Sequence, residues 1–331
     1  MNEIGVGVNL KPSIYISRSI PKNIIDQYAS KLDIHMWEHE AVPIPHTTLM
    51  EKAQQVDGLI CMLSDQIDEA FLAANSHLKV VSNLAVGYDN IDVAAATAQG
   101  TVITNTPDVL TETTADLGFA LLMATARRIP EATNLIKNNG WKEWSPYFMA
   151  GADIHHKTIG IYGMGRIGEA IAKRAKGFDM NVLYHNRRRN KTAEKAIGAS
   201  YVSIEQLLKE SDFVVSVVPL TPETSHTFNT KAFQLMKESA IFINISRGKV
   251  VDETALLHAL ETGKIRGAGL DVFDQEPIDG SHPLLKLEQV VCLPHIGSAS
   301  EETRTAMIKL CLDNCCSVLY GADARTPVLD K

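Results

Sequence analysis

The sequence predicts an α/β protein built on two doubly wound, mostly parallel sheets. Three observations carry that expectation. Apolar, β-branched runs alternate with helical stretches from the N-terminal part onward. A glycine-rich turn at 163–168 lies between such a run and a helix. The alternation then resumes up to a last helix, with no internal repeat, low-complexity tract or Gly/Ser-rich linker.

In chain order, strands are expected at Ser13–Ser17, Gly58–Leu63, Lys79–Asn83 and Thr101–Asn105, with helices such as Asn23–Lys31 and Asp92–Gln99 between them. A long helix begins near Thr111, with Glu112 favourable in its first turn, and continues through Leu117–Arg128. Thr158–Tyr162 reads as a buried strand, Glu169–Lys176 as a helix with few breakers, and Asn181–His185 as a second strand. Further strands are expected at Phe213–Val218, Ala240–Ile245, Gly269–Val272 and Val290–Leu293, and a final helix over Ser300–Tyr320.

The segment around the glycine turn is the context a dinucleotide (Rossmann) fold demands. Gly163, Gly165 and Gly168 form G-x-G-x-x-G. The first glycine permits a tight turn, the second lets the backbone approach a pyrophosphate, and the third lets helix and strand pack closely. The helix N-terminus favours the phosphate charge. The bland reading is a tight turn of any α/β protein; the flanking strands and helix argue against it. An enzyme preferring the unphosphorylated cofactor places an acid about 20 residues on. Here the second strand ends in Asn186, followed by Arg187, Arg188 and Arg189. A carboxylate repels a 2′-phosphate, whereas guanidiniums offer it planar donors, so NADP(H) is the expected cofactor and NAD(H) the alternate. A solvated basic turn is the competing reading.

Composition bounds the rest. The chain has 331 residues, 45% hydrophobic and 21% charged, with a net charge of −7, which disfavours a nucleic-acid surface. The start, Met1-Asn2-Glu3, does not read as a secretory signal, and the apolar stretch near Phe119–Ala126 is too short to span a bilayer. Five cysteines, with Cys311, Cys315 and Cys316 crowded into one helix beside Cys61 and Cys292 elsewhere, do not read as a disulfide framework or as paired zinc spacing. No metal is expected, and a reducing cytoplasm is the expected setting.

Four ordered segments make the chain resemble the D-isomer-specific 2-hydroxyacid dehydrogenase family over essentially its full length. They are Gly163–Gly168, Asn244-Ile245-Ser246-Arg247-Gly248, Gly267–Pro277 and Leu293-Pro294-His295-Ile296-Gly297-Ser298. The segment Asn83–Asn90 and the Trp141…Trp144-Ser145-Pro146 stretch are similar to the glyoxylate/hydroxypyruvate reductases and bacterial 2-ketogluconate reductases of that family.

Reducing a 2-oxo acid needs a hydride donor, a proton donor at the carbonyl oxygen and a cation for the carboxylate. The resemblance implies His295 as general acid/base, suited by an ordinary histidine pKa near neutrality, with Glu276 orienting its ring. It implies Arg247 for the substrate, through a fork matched to carboxylate oxygens. Each has a bland counterpart: a structural histidine after a proline, a glutamate in a surface turn, an arginine paired with a surface acid. Their joint occurrence, each in its family motif, favours the functional reading.

The resemblance further implies a carboxylate cradle from the N–H groups of Val86 and Gly87, Leu63 as a pocket wall (or an ordinary core leucine), and substrate contacts from Ser298 and Trp144. Beside the glycine turn with Arg166 and Ile167, it implies that Asn186, Arg187, Arg188, Val218, Pro219, Thr224, Thr114, His295 and Gly297 line the cofactor. Ile245 and Asp271 are implied to hold the nicotinamide carboxamide.

The expected architecture is a Rossmann cofactor domain, 106–291, inserted into a flavodoxin-like substrate domain, 1–105 plus 292–331, with the active site in the cleft. The expected activity is NADPH-preferring reduction of glyoxylate, hydroxypyruvate or 2-ketogluconate to D-2-hydroxy acids. Formate dehydrogenases of the family carry glutamine where this chain has Glu276, which disfavours that chemistry. A nucleotide-sensing corepressor-like binding protein on the same fold is the alternative, separable by turnover of glyoxylate. An apolar arm at Trp141–Met149 needs a covering surface, from the same chain or, as the resemblance implies, from a homodimer partner joined through the cofactor domains. Neither a nucleic-acid nor a membrane partner is expected.

Overall fold

The computed structural model describes residues 11–329. The reading of Met1-Asn2-Glu3 lies outside the described residues. The chain divides into two compact units: residues up to Leu110 with those from Ser300 on, and Thr111–Ala299.

The first unit holds five parallel strands: β1 (Ser13–Ile16), β2 (Asp33–Met36), β3 (Gly58–Cys61), β4 (Val80–Asn83) and β5 (Val102–Thr104). Their order, β2-β1-β3-β4-β5, is the flavodoxin-like order. β3 and β4 are buried throughout, as continuous apolar runs of a covered parallel sheet should be. Helix Glu301–Leu319, capped by the Ser300 side chain on Thr303 N, packs on β3, β4 and β5.

The second unit holds seven parallel strands: β6 (Thr158–Tyr162), β7 (Asn181–His185), β8 (Ser200–Tyr201), β9 (Phe213–Ser216), β10 (Ile241–Asn244), β11 (Gly267–Leu270) and β12 (Val290–Cys292). The order β12-β11-β10-β9-β6-β7-β8 reverses between β6 and β9, which is the Rossmann switch point. Register aligns the carboxyl ends: His185 with Tyr162, Tyr162 with Ser216, Ser216 with Asn244, Asn244 with Leu270, and Leu270 with Cys292. The loops that follow therefore emerge side by side along one edge of the sheet. Helix Thr111–Ala126 packs on β10, β11 and helix Arg166–Lys176. Gly118 and Gly269 permit that packing, since a Cβ would lie 2.7 Å from Ile245 Cδ1 and 2.8 Å from Leu121 Cγ respectively.

Several expected boundaries move, for physical reasons. The helix expected over Asn23–Lys31 spans Lys22–Ile25, because Gln27, Tyr28 and Lys31 donate to carbonyls three residues back and the chain continues as turns. The long helix stops at Ala126; Arg128 takes a left-handed φ of 55°, and a second helix, Ile129–Lys137, starts with proline in its first turn. β2 and β8 escape the pattern reading altogether. The units meet at 110/111 and 299/300, not at 105/106 and 291/292, and β12 stays in the larger unit because it is bonded to β11. Among the described residues, no helix is long and apolar enough to cross a membrane.

Candidate active site

The three glycines of the turn after β6 differ physically. Gly163 has φ +110°, and a Cβ there would stand 2.6 Å from Val217 O, so this turn hugs the end of β9. Gly165 caps helix Arg166–Lys176 with φ −89°, and a Cβ there would meet nothing within 4 Å. The space over this helix N-terminus is open, as a pyrophosphate cradle requires. At Gly168 a Cβ would be 2.1 Å from Gly163 O, so only glycine lets the helix pack onto the turn. Arg166 is exposed and Ile167 half-buried on the first turn of this helix.

Asn186, at the end of β7, grips this turn from both sides: its Oδ1 accepts Met164 N–H at 2.7 Å and its Nδ2 donates to Met164 O at 3.3 Å. Asn190 adds a bond to Met164 O at 3.2 Å and one to Glu169 Oε1 at 2.7 Å. Sequence reading missed Asn190 and Glu169; their signal would have been two more polar residues flanking the motif. Of the three arginines, Arg189 is bound to Glu194 through two bonds of 2.6 and 2.8 Å, which with Tyr184 hold that carboxyl down at about 2. Arg187 and Arg188 are exposed and join no ion pair among the described residues. On the 221–224 turn the Glu223 carboxyl is held below its usual range, first by the Thr221 hydroxyl and least by the charge of Arg187. In that turn Thr224 is buried and its hydroxyl donates to Pro219 O at 2.7 Å, beyond the half-buried Val218.

At the ends of β10, β11 and β12 the charged residues converge. Glu276 Oε2 lies 2.7 Å from His295 Nδ1, and its Oε1 accepts Phe273 N–H at 2.9 Å. Burial pushes the Glu276 carboxyl up, but the His295 hydrogen bond and charge, the Phe273 N–H and the Arg247 charge outweigh it and hold the group below its usual range. Arg247 follows β10 in extended backbone and leads into the short helix Gly248–Val250. A Cβ on Gly248 would lie 1.8 Å from Phe273 C, so glycine alone lets the Arg247 loop press against the segment leading to Glu276. Asn244 Nδ2 donates to Arg247 O at 3.1 Å, while its Oδ1 accepts from Ser246 Oγ at 2.6 Å; Ser246 Oγ also lies 3.0 Å from Ser216 Oγ. Sequence reading missed this buried polar row, although two polar residues at the end of an apolar strand are its trace.

His295 takes a left-handed φ of 53°, costly for a non-glycine residue. Asp271 holds it there. Its buried carboxylate accepts Ile296 N–H at 2.8 Å and is further bonded by Gly297 N–H. Burial raises its pKa despite these bonds and the His295 charge. Asp271 thus clamps the turn that carries His295. Thr114 is buried against Gly297, whose Cβ would be 3.4 Å from Thr114 Cγ2, and Ile245 is buried in the core against Gly118. Ser298 is half-buried on the same turn. Trp144 is 75% exposed, so its own chain does not cover it.

Leu63, Val86 and Gly87 belong to the first unit. Leu63 is half-buried, outside the core. The Val86 carbonyl accepts from Asn105 Nδ2 and the Gly87 carbonyl from Asn83 Nδ2, each at 2.8 Å, and Asn90 ties the same loop to Met62 O and Asp65 O. These three asparagines fix the loop's peptide planes. Asn90 enters the sequence reading only through a resemblance, Asn83 through that resemblance and as the end of a strand, and Asn105 only as the end of a strand.

Comparison with known proteins identifies the family. Residues 119–297 match the family model of the D-isomer specific 2-hydroxyacid dehydrogenase NAD binding domain. The chain is 49% identical to a glyoxylate reductase of Pyrococcus furiosus over 92% of its length and 91% of that protein. It is 44% identical to glyoxylate/hydroxypyruvate reductase B of Escherichia coli, over 94% of this chain and 96% of the other. A solved protein of Thermus thermophilus superposes with a TM-score of 0.89 at 39% identity, covering 96% of this chain and all of that one. The NADPH-dependent glyoxylate/hydroxypyruvate reductase of Sinorhizobium meliloti, solved with NADP and malonate, does so at 0.84 and 32% identity, over 96% and 97% of the two chains. With a glycine turn shaped for a dinucleotide and relatives matched along nearly their whole length, the chain belongs to the D-isomer-specific 2-hydroxyacid dehydrogenases, nicotinamide-dependent reductases of 2-oxo acids.

Proposed function

We propose that the protein reduces small 2-oxo acids (glyoxylate, hydroxypyruvate or 2-ketogluconate) to D-2-hydroxy acids, prefers NADPH, and uses His295 as general acid/base. The observation that carries this is the 2.7 Å pair between His295 Nδ1 and Glu276, on loops beside Arg247 and on the sheet edge that carries the glycine turn. Bound reduced nicotinamide supplies the hydride. His295, with Nδ1 engaged by Glu276, presents Nε2 to donate a proton to the carbonyl oxygen; in the oxidative direction it removes that proton. Glu276 stabilises the charged ring. Arg247 takes the substrate carboxylate, with the Val86 and Gly87 N–H groups and Ser298 as further donors and Leu63 as an apolar wall. The larger unit is the cofactor domain and the smaller one the substrate domain. Initial rates on the three substrates with NADPH and NADH test the reading: turnover of one of them at ordinary enzyme rates, fastest with NADPH, is expected, and absence of turnover on all three would overturn it.

The proton-holding role has a pH signature. Glu276 has a lowered folded-state pKa, so its interaction with the ring is present above the ordinary carboxylate range and is lost only as pH falls through that lowered value. Coupling is reciprocal: the carboxylate that the charged ring favours in turn favours the charged ring. In Glu276→Gln, the alkaline limb of the kcat profile for reduction should therefore move to lower pH. A profile that stays in place counts against the pairing.

NADPH preference rests on exposed Arg187 and Arg188 and on the missing acid at Asn186, and the Sinorhizobium relative with NADP supports it. Asn186→Asp with Arg187→Ala keeps an acceptor for Met164 N–H but loses the donor to Met164 O. The freed carboxylate oxygen would repel a 2′-phosphate and accept a ribose hydroxyl. Losing a charged contact costs about 1.5–3 kcal/mol, so kcat/KM for NADPH should fall roughly tenfold to a hundredfold relative to NADH. Preference for NADH in the unmodified protein would end the idea.

We further propose a homodimer through the cofactor domains. Trp141, Trp144, Tyr147 and Phe148 are all exposed, Tyr147 at 88%, and an arm of this kind is costly to leave in water. Trp144→Ala should change selectivity between glyoxylate and longer 2-oxo acids with NADPH affinity unaltered. A stable monomer by light scattering at micromolar concentration would remove both the dimer and this role.

A further inference from the structure

Outside the Glu276–His295 pair, the larger unit holds another largely buried histidine–carboxylate pair that the proposed mechanism does not use. His282 Nε2 lies 3.3 Å from Glu253 Oε2, and both side chains are about a fifth exposed. The other carboxylate oxygen, Glu253 Oε1, accepts Asp274 N–H at 2.8 Å. The preceding N–H, of Phe273, is the one taken by Glu276 Oε1. Two carboxylates thus grip consecutive peptide N–H groups, one from within the segment and one from outside it. Glu253 opens helix Glu253–Glu261, where the helix dipole favours its charge and Asp252 caps the first turn through Ala255 N. That helix closely follows Arg247 and the short helix Gly248–Val250, which already press on the Phe273 backbone. Glu253 is therefore a strut between the element that carries Arg247 and the segment that carries Glu276.

His282 sets the direction of this strut. Its Nδ1 is buried with no hydrogen-bond partner among the described residues. A proton there would be a buried donor without an acceptor, so the ring's proton toward Glu253 sits on Nε2. The ring also lies edge-on to Phe273, with centroids 5.9 Å apart. Held by His282 on one oxygen, Glu253 has the other left for Asp274.

We propose that Glu253, oriented by His282, is a positioning residue that holds Glu276 in place for His295; this rests on the catalytic reading of the Glu276–His295 pair. Displacement of a catalytic group by about 1 Å costs on the order of 10²-fold in rate. In Glu253→Ala, kcat for glyoxylate reduction should fall roughly 10- to 100-fold, with NADPH affinity unchanged. The alkaline limb should move to lower pH, because Glu276, which faces His295, Arg247 and Asp271, no longer bonds the ring squarely. Glu253→Gln, which retains an oxygen for Asp274 N–H, should recover most of kcat. Glu253→Ala added to Glu276→Gln should cost little more than Glu276→Gln alone. If Glu253→Ala does not fold, His282→Ala carries the same test with a smaller shift of the same sign. If Glu276→Gln leaves the profile unmoved, the pairing falls and Glu253 with it. If Glu276→Gln moves the profile while Glu253→Ala leaves kcat and profile intact, or if the two losses are additive, the positioning role alone is overturned.

Discussion

His295→Ala should lower the single-turnover rate of 2-oxo acid reduction by about 10²–10⁴-fold, the usual contribution of general acid–base catalysis. NADPH affinity, proposed to be set mainly around the glycine turn after β6, should be nearly unchanged. The site adds a complication that a second variant resolves. His295 sits at φ 53°, held by the Asp271 clamp on Ile296 and Gly297, and alanine tolerates that region poorly. Asparagine tolerates it better, so His295→Asn keeps the turn while removing the imidazole. The two variants should lose the chemical step alike, but Asn should keep more of the thermal stability. Stopped-flow hydride transfer, fluorescence titration with NADPH and a thermal melt separate these effects. Retention of more than about a tenth of the rate in His295→Asn, a loss well short of the roughly 10²-fold floor of such catalysis, would refute the acid/base role, whatever the stability.

What could be read from the sequence follows from where its constraints lie. β6 and β7 were legible to the residue because they are short apolar runs flanking a motif whose first and last glycines each have a steric task. β2, Asp-Ile-His-Met with its polar residues outward, and β8, the exposed pair Ser-Tyr, are edge strands. Each is paired on one side only and is only partly covered, so its apolar pattern is weak and local sequence says little about it. The same holds at the site. Arg247, Glu276 and His295 could be nominated one by one, but Gly248 against the Phe273 backbone and Glu253 on Asp274 N–H arise only when β10 and β11 lie side by side. Asp271 could be nominated, while its clamp on the His295 turn could not: the bonds to Ile296 and Gly297 cross from one strand end to the next.

The glycine turn offers a prediction in which one substitution type fails in two opposite ways three residues apart. Gly165 has φ −89° and ψ −165°, ordinary for alanine, and its Cβ would meet nothing in the protein within 4 Å. Gly165→Ala should therefore fold as well as the unmodified chain, or gain about 0.4–1 kcal/mol from a less flexible unfolded state. The new methyl group would occupy the space over the helix N-terminus where the pyrophosphate is proposed to lie. Overpacking costs about 1–3 kcal/mol, so NADPH binding should weaken by roughly fivefold to more than a hundredfold. Gly168→Ala meets the reverse situation. Alanine favours a helix interior over glycine by about 1 kcal/mol, but here its Cβ would stand 2.1 Å from Gly163 O and 3.3 Å from Ile161 Cγ2. Relieving the backbone clash requires the helix to lift from β6, breaking contacts of a core that contains Ile161, Ile171 and Ala172. The clash outweighs the propensity gain, and the thermal midpoint should fall by several degrees. A thermal melt and an NADPH titration on the two variants suffice: Gly165→Ala stable and weak-binding, Gly168→Ala destabilised. A Gly165→Ala protein that binds NADPH as tightly as the unmodified one would show that the dinucleotide does not approach the backbone at this helix end.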